Sequence, residues 1–134
     1  MSETLDHIAV AVPDLDQAIE QWNKLCGAVL LYREFVEAQR THVAFMGIGN
    51  FRIELIAPDG PDTTVAKFLE KRGPGLHHIA LKTGDGQALL NEFSQRGAKL
   101  INETLRPGAE HTMVGFVHPS AFGGVLLEIV EHPH

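Results

Sequence analysis

The chain is poor in cysteine, aromatic residues and positive charge, and the first and last of these shortages each remove a class of protein. One cysteine, Cys26, stands among 134 residues, so no intrachain disulfide forms and a small disulfide scaffold is excluded. Lys and Arg number 11 against 17 Asp and Glu, a net charge of -6 that repels phosphate backbones and argues against a nucleic-acid partner. Any anionic ligand must then be held by a local basic cluster. No apolar run reaches the roughly 20 residues that span a bilayer, and the opening MSETLDH is acidic where a secretory signal would be basic. The expectation is a soluble, cytoplasmic protein without a membrane partner. With 44% hydrophobic residues at this length, the chain has apolar mass for one core.

What the chain does have is a repeat. DHIAVAV near its start and HHIALKT past its middle are two copies of a strand that opens with histidine, and each is answered downstream by a glutamate, in RIELIAP and LLEIVEH. His7 and His78 lie 71 residues apart, and Glu54 and Glu128 lie 74 apart. Asp14 follows His7 by 7 residues, as Asp85 follows His78, and the runs GAVLL and GAKLI recur 70 residues apart. A period this long exceeds the roughly 20 to 50 residues of solenoid repeats, so the repeat marks two modules rather than an array.

Hydrophobic periodicity gives the order within each module. Residues 5–12 form an apolar, β-branched run closed by Pro13, which reads as a strand. Asp14 then fits an N-cap with Gln17 three residues on, and Leu15, Ile19, Trp22 and Leu25 are spaced for one helical face ended by Gly27. Strands follow over 28–35, 41–47 and 51–57, giving βαβββ. The second module repeats the order with a strand over 78–83, a helix over 85–96, and strands over 99–102, 113–118 and 125–130. DGPDTT is a turn-rich linker, and VAKFLEKR a short helix capped by Gly73. The expected fold is α+β: one domain over 1–134, with module one at about 1–58, a linker helix at about 62–73 and module two at about 74–134. Two tandem βαβββ modules would form a curved mixed sheet around a metal-binding cleft.

A lone histidine opening a strand is usually structural, but two at matched places in a repeat point to shared chemistry. Imidazole from His7 and His78 with carboxylate from Glu54 and Glu128 makes a mixed nitrogen and oxygen set suited to Zn, Ni, Co, Mn or Fe. In Ile53-Glu54-Leu55 and Leu127-Glu128-Ile129 a charge is flanked by large apolar residues. A carboxylate in such a strand is costly unless paired or metal-bound. Dioxygenase sites use two histidines and one carboxylate, so four protein ligands point away from oxygen chemistry.

HIAVAVPDLDQAIEQW, IELIAP, VAKFLEKRGPGLHHIAL and HPSAFGGVLLEIVE together resemble the vicinal oxygen chelate superfamily, and within it the methylmalonyl-CoA epimerase family. The resemblance covers essentially the whole chain. The strand-initial histidines and the glutamates belong to the superfamily, shared with glyoxalase I, whereas AKFLEKRG, GLHHIA and the HP-to-GVLLE ending favour the epimerase. The resemblance implies His7, Glu54, His78 and Glu128 as ligands of a divalent ion, cobalt first, with nickel, zinc or manganese as alternatives. It implies an acyl-CoA substrate, a homodimer, and Glu128 as one catalytic base. Related epimerases can carry a glutamate where this chain has Val43, so the second base falls to the 37–42 segment, with Glu37 the candidate and Gln39 and His42 nearby. Gln39, Lys67, Lys71 and His118 are candidate substrate-binding residues, Lys67, Lys71 and Arg72 facing the coenzyme's phosphates. The loop GAEHTM sets Thr112 where the family usually shows a basic residue. Glyoxalase I and a non-catalytic small-molecule-binding resistance protein are the alternative readings.

Overall fold

A computed structural model of the chain describes residues 3–134. Its elements are β1 (Thr4–Ala11), α1 (Leu15–Cys26), β2 (Val29–Val36), β3 (Thr41–Ile48), β4 (Phe51–Pro58), α2 (Thr64–Arg72), β5 (Gly75–Lys82), α3 (Gly86–Gln95), β6 (Arg106–Pro107), β7 (Met113–Val117) and β8 (Leu127–Glu131). The class is α+β, and the βαβββ order recurs in β1-α1-β2-β3-β4 and β5-α3-β6-β7-β8. Two compact units divide the described residues, one being His7–His77 and the other His78–His134 with residues 3–6.

In the first unit the strands lie in the order β2-β3-β4-β1, with β1 parallel to β4 and the other neighbours antiparallel. Alternation along the strands sends one set of side chains toward α1. Ala44 and Met46 of β3 and Leu55 and Ala57 of β4 cluster there with Leu15 and Ala18 of the helix. Met46 and Leu55 are fully buried, each worth about 1.5–3 kcal/mol against exposure. The helix starts where Asp14 accepts a hydrogen bond from the Gln17 N–H at 3.0 Å and stops where Gly27 turns left-handed at φ 69°. The expected face is realised by Leu15, Ile19 and Trp22 with Ala18 added, but Leu25 is 80% exposed. It sits in the last turn of α1, outside the cluster that packs the helix on the sheet.

The second unit repeats the plan. Its order is β5-β8-β7-β6, with β5 parallel to β8. Asp85 caps α3 through the Ala88 N–H, and Leu89 and Leu90 pack on Val117, Leu127 and Ile129. The strand expected over 99–102 is reduced to one bridge between Leu100 and Val117. Pairing ends there because Ile101 and Asn102 both donate to the Phe116 carbonyl, and the Asn102 side chain takes the Phe116 N–H. The ladder beside β7 is supplied instead by β6, farther along the chain. The expected linker helix is α2, capped by Thr63 and closed by the Gly73 N–H on the Leu69 carbonyl. Among the described residues no helix is long and apolar enough to cross a membrane.

Candidate metal centre

Each unit turns its other sheet face, away from its helix, to a histidine and a glutamate. In the first unit, β1 and β4 run parallel with Ala9 beside Glu54, so His7 and Glu54 share a face. The His7 Nε2 stands 3.2 Å from Glu54 Oε1. The second unit has Ala80 beside Glu128, and His78 Nε2 lies 3.3 Å from Glu128 Oε1. All four side chains are buried, so neither glutamate points to solvent.

The aromatic support is duplicated as well. Phe45, opposite Glu54 on β3, meets the His7 ring edge-on at 5.2 Å and 85°. Phe116, opposite Glu128 on β7, meets His78 at 5.4 Å and 86°. Two ligands bound at 2.0–2.2 Å with a right angle between them stand about 3 Å apart, so the separation in each pair fits donors that share an ion. Two neutral imidazoles and two carboxylates give a donor set of charge -2, which a divalent cation neutralises. His7, Glu54, His78 and Glu128 make up a group that could hold a metal ion, each offering one ligand atom.

The other residues singled out in the sequence are placed as follows. Glu37 and Gln39 occupy a 3-10 turn, Glu37–Gln39, just beyond β2, with Glu37 exposed. His42 is paired with Phe35 on β2 and lies on the α1 side of β3, its Nε2 3.3 Å from Asp59 Oδ1 and its ring against Phe35. Lys67 and Lys71 are exposed on α2, and the Arg72 guanidinium lies 5.8 Å from the Phe68 ring. His77 packs edge-on against Phe68 at 4.7 Å, on the opposite face of β5 from its neighbour His78. The His118 Nδ1 accepts the Ser120 N–H at 3.0 Å and so caps a short turn. Thr112 is buried and donates to the Ala109 carbonyl at 2.6 Å, a bond that shapes its turn and takes up its hydroxyl. Cys26 is exposed at the end of α1.

Three charged residues on the faces that carry the His–Glu pairs were missed from sequence. Arg52, two residues before Glu54, lies over the Phe45 ring at 4.1 Å. Arg106 pairs across the ladder with Val114, and Glu34 pairs with Val43. Period-two alternation was the available signal for Glu34 and Arg52: Tyr32-Glu34-Val36 and Arg52-Glu54-Ile56 each place a charge in step with a face. Arg106 gave none, because its strand is only Arg106–Pro107.

Residues 6–116 match the family described as the Glyoxalase/Bleomycin resistance protein/Dioxygenase superfamily. The mitochondrial methylmalonyl-CoA epimerase of Homo sapiens is 32% identical over 93% of this chain and 72% of its own. The crystal structure of methylmalonyl-CoA epimerase from Mycobacterium tuberculosis superposes with a TM-score of 0.92 at 36% identity, covering 97% of this chain and 88% of that one. A methylmalonyl-CoA epimerase solved in complex with methylmalonyl-CoA and NH4+ gives a TM-score of 0.94 at 30% identity, over 98% and 96%.

Proposed function

This chain belongs to the glyoxalase/bleomycin resistance protein/dioxygenase superfamily, and on that premise we propose that it is a metal-dependent epimerase interconverting (R)- and (S)-methylmalonyl-CoA. The observation that carries the reading is the pair of matched, buried His–Glu couples, His7 with Glu54 and His78 with Glu128. Support comes from likeness over at least 93% of this chain to proteins named as methylmalonyl-CoA epimerases, one of them solved with that thioester bound.

The four side chains would converge on one divalent ion, with cobalt the first choice and nickel, zinc or manganese as alternatives. When bound, such an ion supplies Lewis acidity that lowers the cost of negative charge beside the reacting carbon by several kcal/mol. The residues of the chain do the rest. Two carboxylates against a divalent charge leave the site near neutral, so an anionic acyl-CoA is not repelled. Glu128 takes the α-proton from one face of the substrate, breaking the C–H bond and leaving a planar enolate. A second acid on the other face returns a proton with inversion. Arg52 and Arg106, on the faces that carry the pairs, are suited to the substrate's carboxylate, a role that Thr112 does not fill. The exposed Lys67 and Lys71, with Gln39 and His118, remain candidates for the coenzyme portion. A cytoplasmic homodimer completes the proposal.

The deciding experiment incubates the metal-loaded protein with (S)- or (R)-methylmalonyl-CoA in heavy water. Deuterium should enter the α-position and the centre should racemise. If neither occurs while methylglyoxal and glutathione are converted to a thioester, the glyoxalase reading replaces this one.

A further inference from the structure

We infer that Glu34 is the second acid–base residue of the reaction, the one that protonates the enolate on the face opposite Glu128. The inference rests on the epimerase reading above and deepens it. Inversion needs a proton carrier on each face of a planar intermediate, and a ligand of the ion can serve only one of them. The carrier must meet three conditions: a transferable proton, a place on the sheet face that bears His7 and Glu54, and a distance from the ligands that leaves room for substrate.

Register decides which residues share that face. Glu34 pairs directly with Val43, which lies on the same face of β3 as Phe45, the residue opposite Glu54. Two contacts fix the alternation in β2. Arg33 bonds to Asp16 of α1, and Phe35 packs on His42, which pairs with Ala57 of the helix-side core. Arg33 and Phe35 therefore belong to the α1 side, and Glu34 between them belongs to the other. His42 fails the second condition by the same register, and Glu37 lies outside the ladder in its exposed turn.

Among the described strand residues of the first unit, alternation places Tyr32 and Arg52 on this face with Glu34, besides His7 and Glu54. A guanidinium keeps its proton, and a phenol is a poor proton donor beside a carboxylic acid. That leaves Glu34. Its strand is two places from β4, and with strands about 4.8 Å apart its backbone stands roughly 10 Å from that of Glu54. That spacing leaves room for an acyl group between the Glu34 carboxyl group and the ligand residues of β1 and β4. In the second unit the matching place, opposite Val114, is held by Arg106, so only the first unit presents an acid there.

The proton balance closes. Glu128 gains the α-proton as the C–H bond breaks; the carboxylic acid of Glu34 loses its proton as the new C–H bond forms; exchange with water resets both, and the reverse direction swaps the roles.

The test uses Glu34→Gln and Glu34→Asp in heavy water, read by α-deuteration and by the stereochemistry of the recovered thioester, beside metal content and melting temperature. Glu34→Gln should keep its metal and its fold and lose epimerisation by about 100-fold or more. It should still wash deuterium into one epimer with retention, through Glu128, and Glu34→Asp should restore part of the inversion. A Glu34→Gln protein that epimerises within a few-fold of the parent overturns the inference. So does one that loses its metal, or loses exchange in both epimers, since either marks a structural role. A parent protein inactive on methylmalonyl-CoA overturns the epimerase reading itself and this inference with it, an outcome seen before any variant is made.

Discussion

The Phe45 ring stands edge-on to the His7 imidazole, 5.2 Å between centroids and 85° between planes. A ring edge is the positive part of an aromatic quadrupole, so such a contact has a preferred geometry and limits rotation of the imidazole. The second unit reproduces it with Phe116 and His78. Phe45→Leu and Phe116→Leu should each weaken divalent-ion binding about tenfold or more, the range found when groups that orient a ligating histidine are removed. Calorimetric titration of the ion into apo-protein measures it, and unchanged affinity in both variants would remove the orienting role.

Glu128→Gln and His78→Ala should abolish metal binding or turnover while leaving the protein folded, because they remove donor atoms rather than core volume. Both residues lie apart from the α3-side cluster of Leu89, Leu90, Val117, Leu127 and Ile129, which holds the second unit together. Elemental analysis of the purified variants, beside circular dichroism, decides the matter; full metal content with full activity in both would place the site elsewhere.

The two halves of the site were legible for a physical reason. A charge flanked by large apolar residues on a strand is expensive, and expense repeated at matched places in a duplicated unit signals purpose, as Glu54 and Glu128 illustrate. The caps at Asp14 and Asp85 were readable because the bond to the third residue is local. Residues 99–102 misled because a short run carries no record of its partner. There the side chain of Asn102 ends the pairing by taking the Phe116 N–H. Leu25 misled because helical spacing marks a face and not how far along the helix that face is covered. Glu34 stayed hidden because its meaning depends on register with Val43 across a strand pair, which sequence spacing leaves open.

Gly115 on β7 leaves room for the helix above it. A Cβ there would lie 2.7 Å from the Leu90 Cδ1, and Leu90 is fully buried. Gly115→Ala should therefore destabilise by about 1–3 kcal/mol, the usual cost of overpacking. In a Leu90→Ala background, itself destabilised by about 2–5 kcal/mol, the added methyl of Gly115→Ala should cost little further, because the atom it would meet is gone. Chemical denaturation of the set measures both; a single variant as stable as the parent would show that Leu90 has somewhere to move.

Arg40 adopts left-handed backbone at φ 49°, its side chain bonded to Asp62 at 2.9 Å and to the Asp59 carbonyl at 2.8 Å. The Arg40 hydrogen bond holds the Asp62 carboxyl below its usual range. A depressed carboxylate contributes stability above its unfolded pKa and loses it as pH falls through the folded value. Asp62→Asn should accordingly lower stability slightly at neutral pH and have no effect in strong acid. Both groups are open to solvent, so the difference should shrink with added salt. Denaturation midpoints across pH and ionic strength test it, and a salt-independent difference would contradict the ion-pair account.

Metal removal should reveal whether the His–Glu couples are ligands or simple ion pairs. An ion that binds the folded chain and not the unfolded one stabilises it by RT ln(1 + [L]/Kd), about 2.7 kcal/mol at one hundred times Kd. For a chain of this length that corresponds to a melting shift of roughly 10 °C. Chelator-treated protein should melt lower by about this amount, regain it on addition of cobalt or nickel, and gain nothing from magnesium, which binds imidazole poorly. Acidification should erase the gain, because a protonated imidazole has no lone pair for an ion. If His7–Glu54 and His78–Glu128 were imidazolium–carboxylate pairs, the order would reverse: the metal would add nothing, and mild acid would strengthen them by charging the rings. The sign of the melting shift on cobalt addition, followed from neutral to mildly acidic pH, separates the two accounts without any assay of turnover.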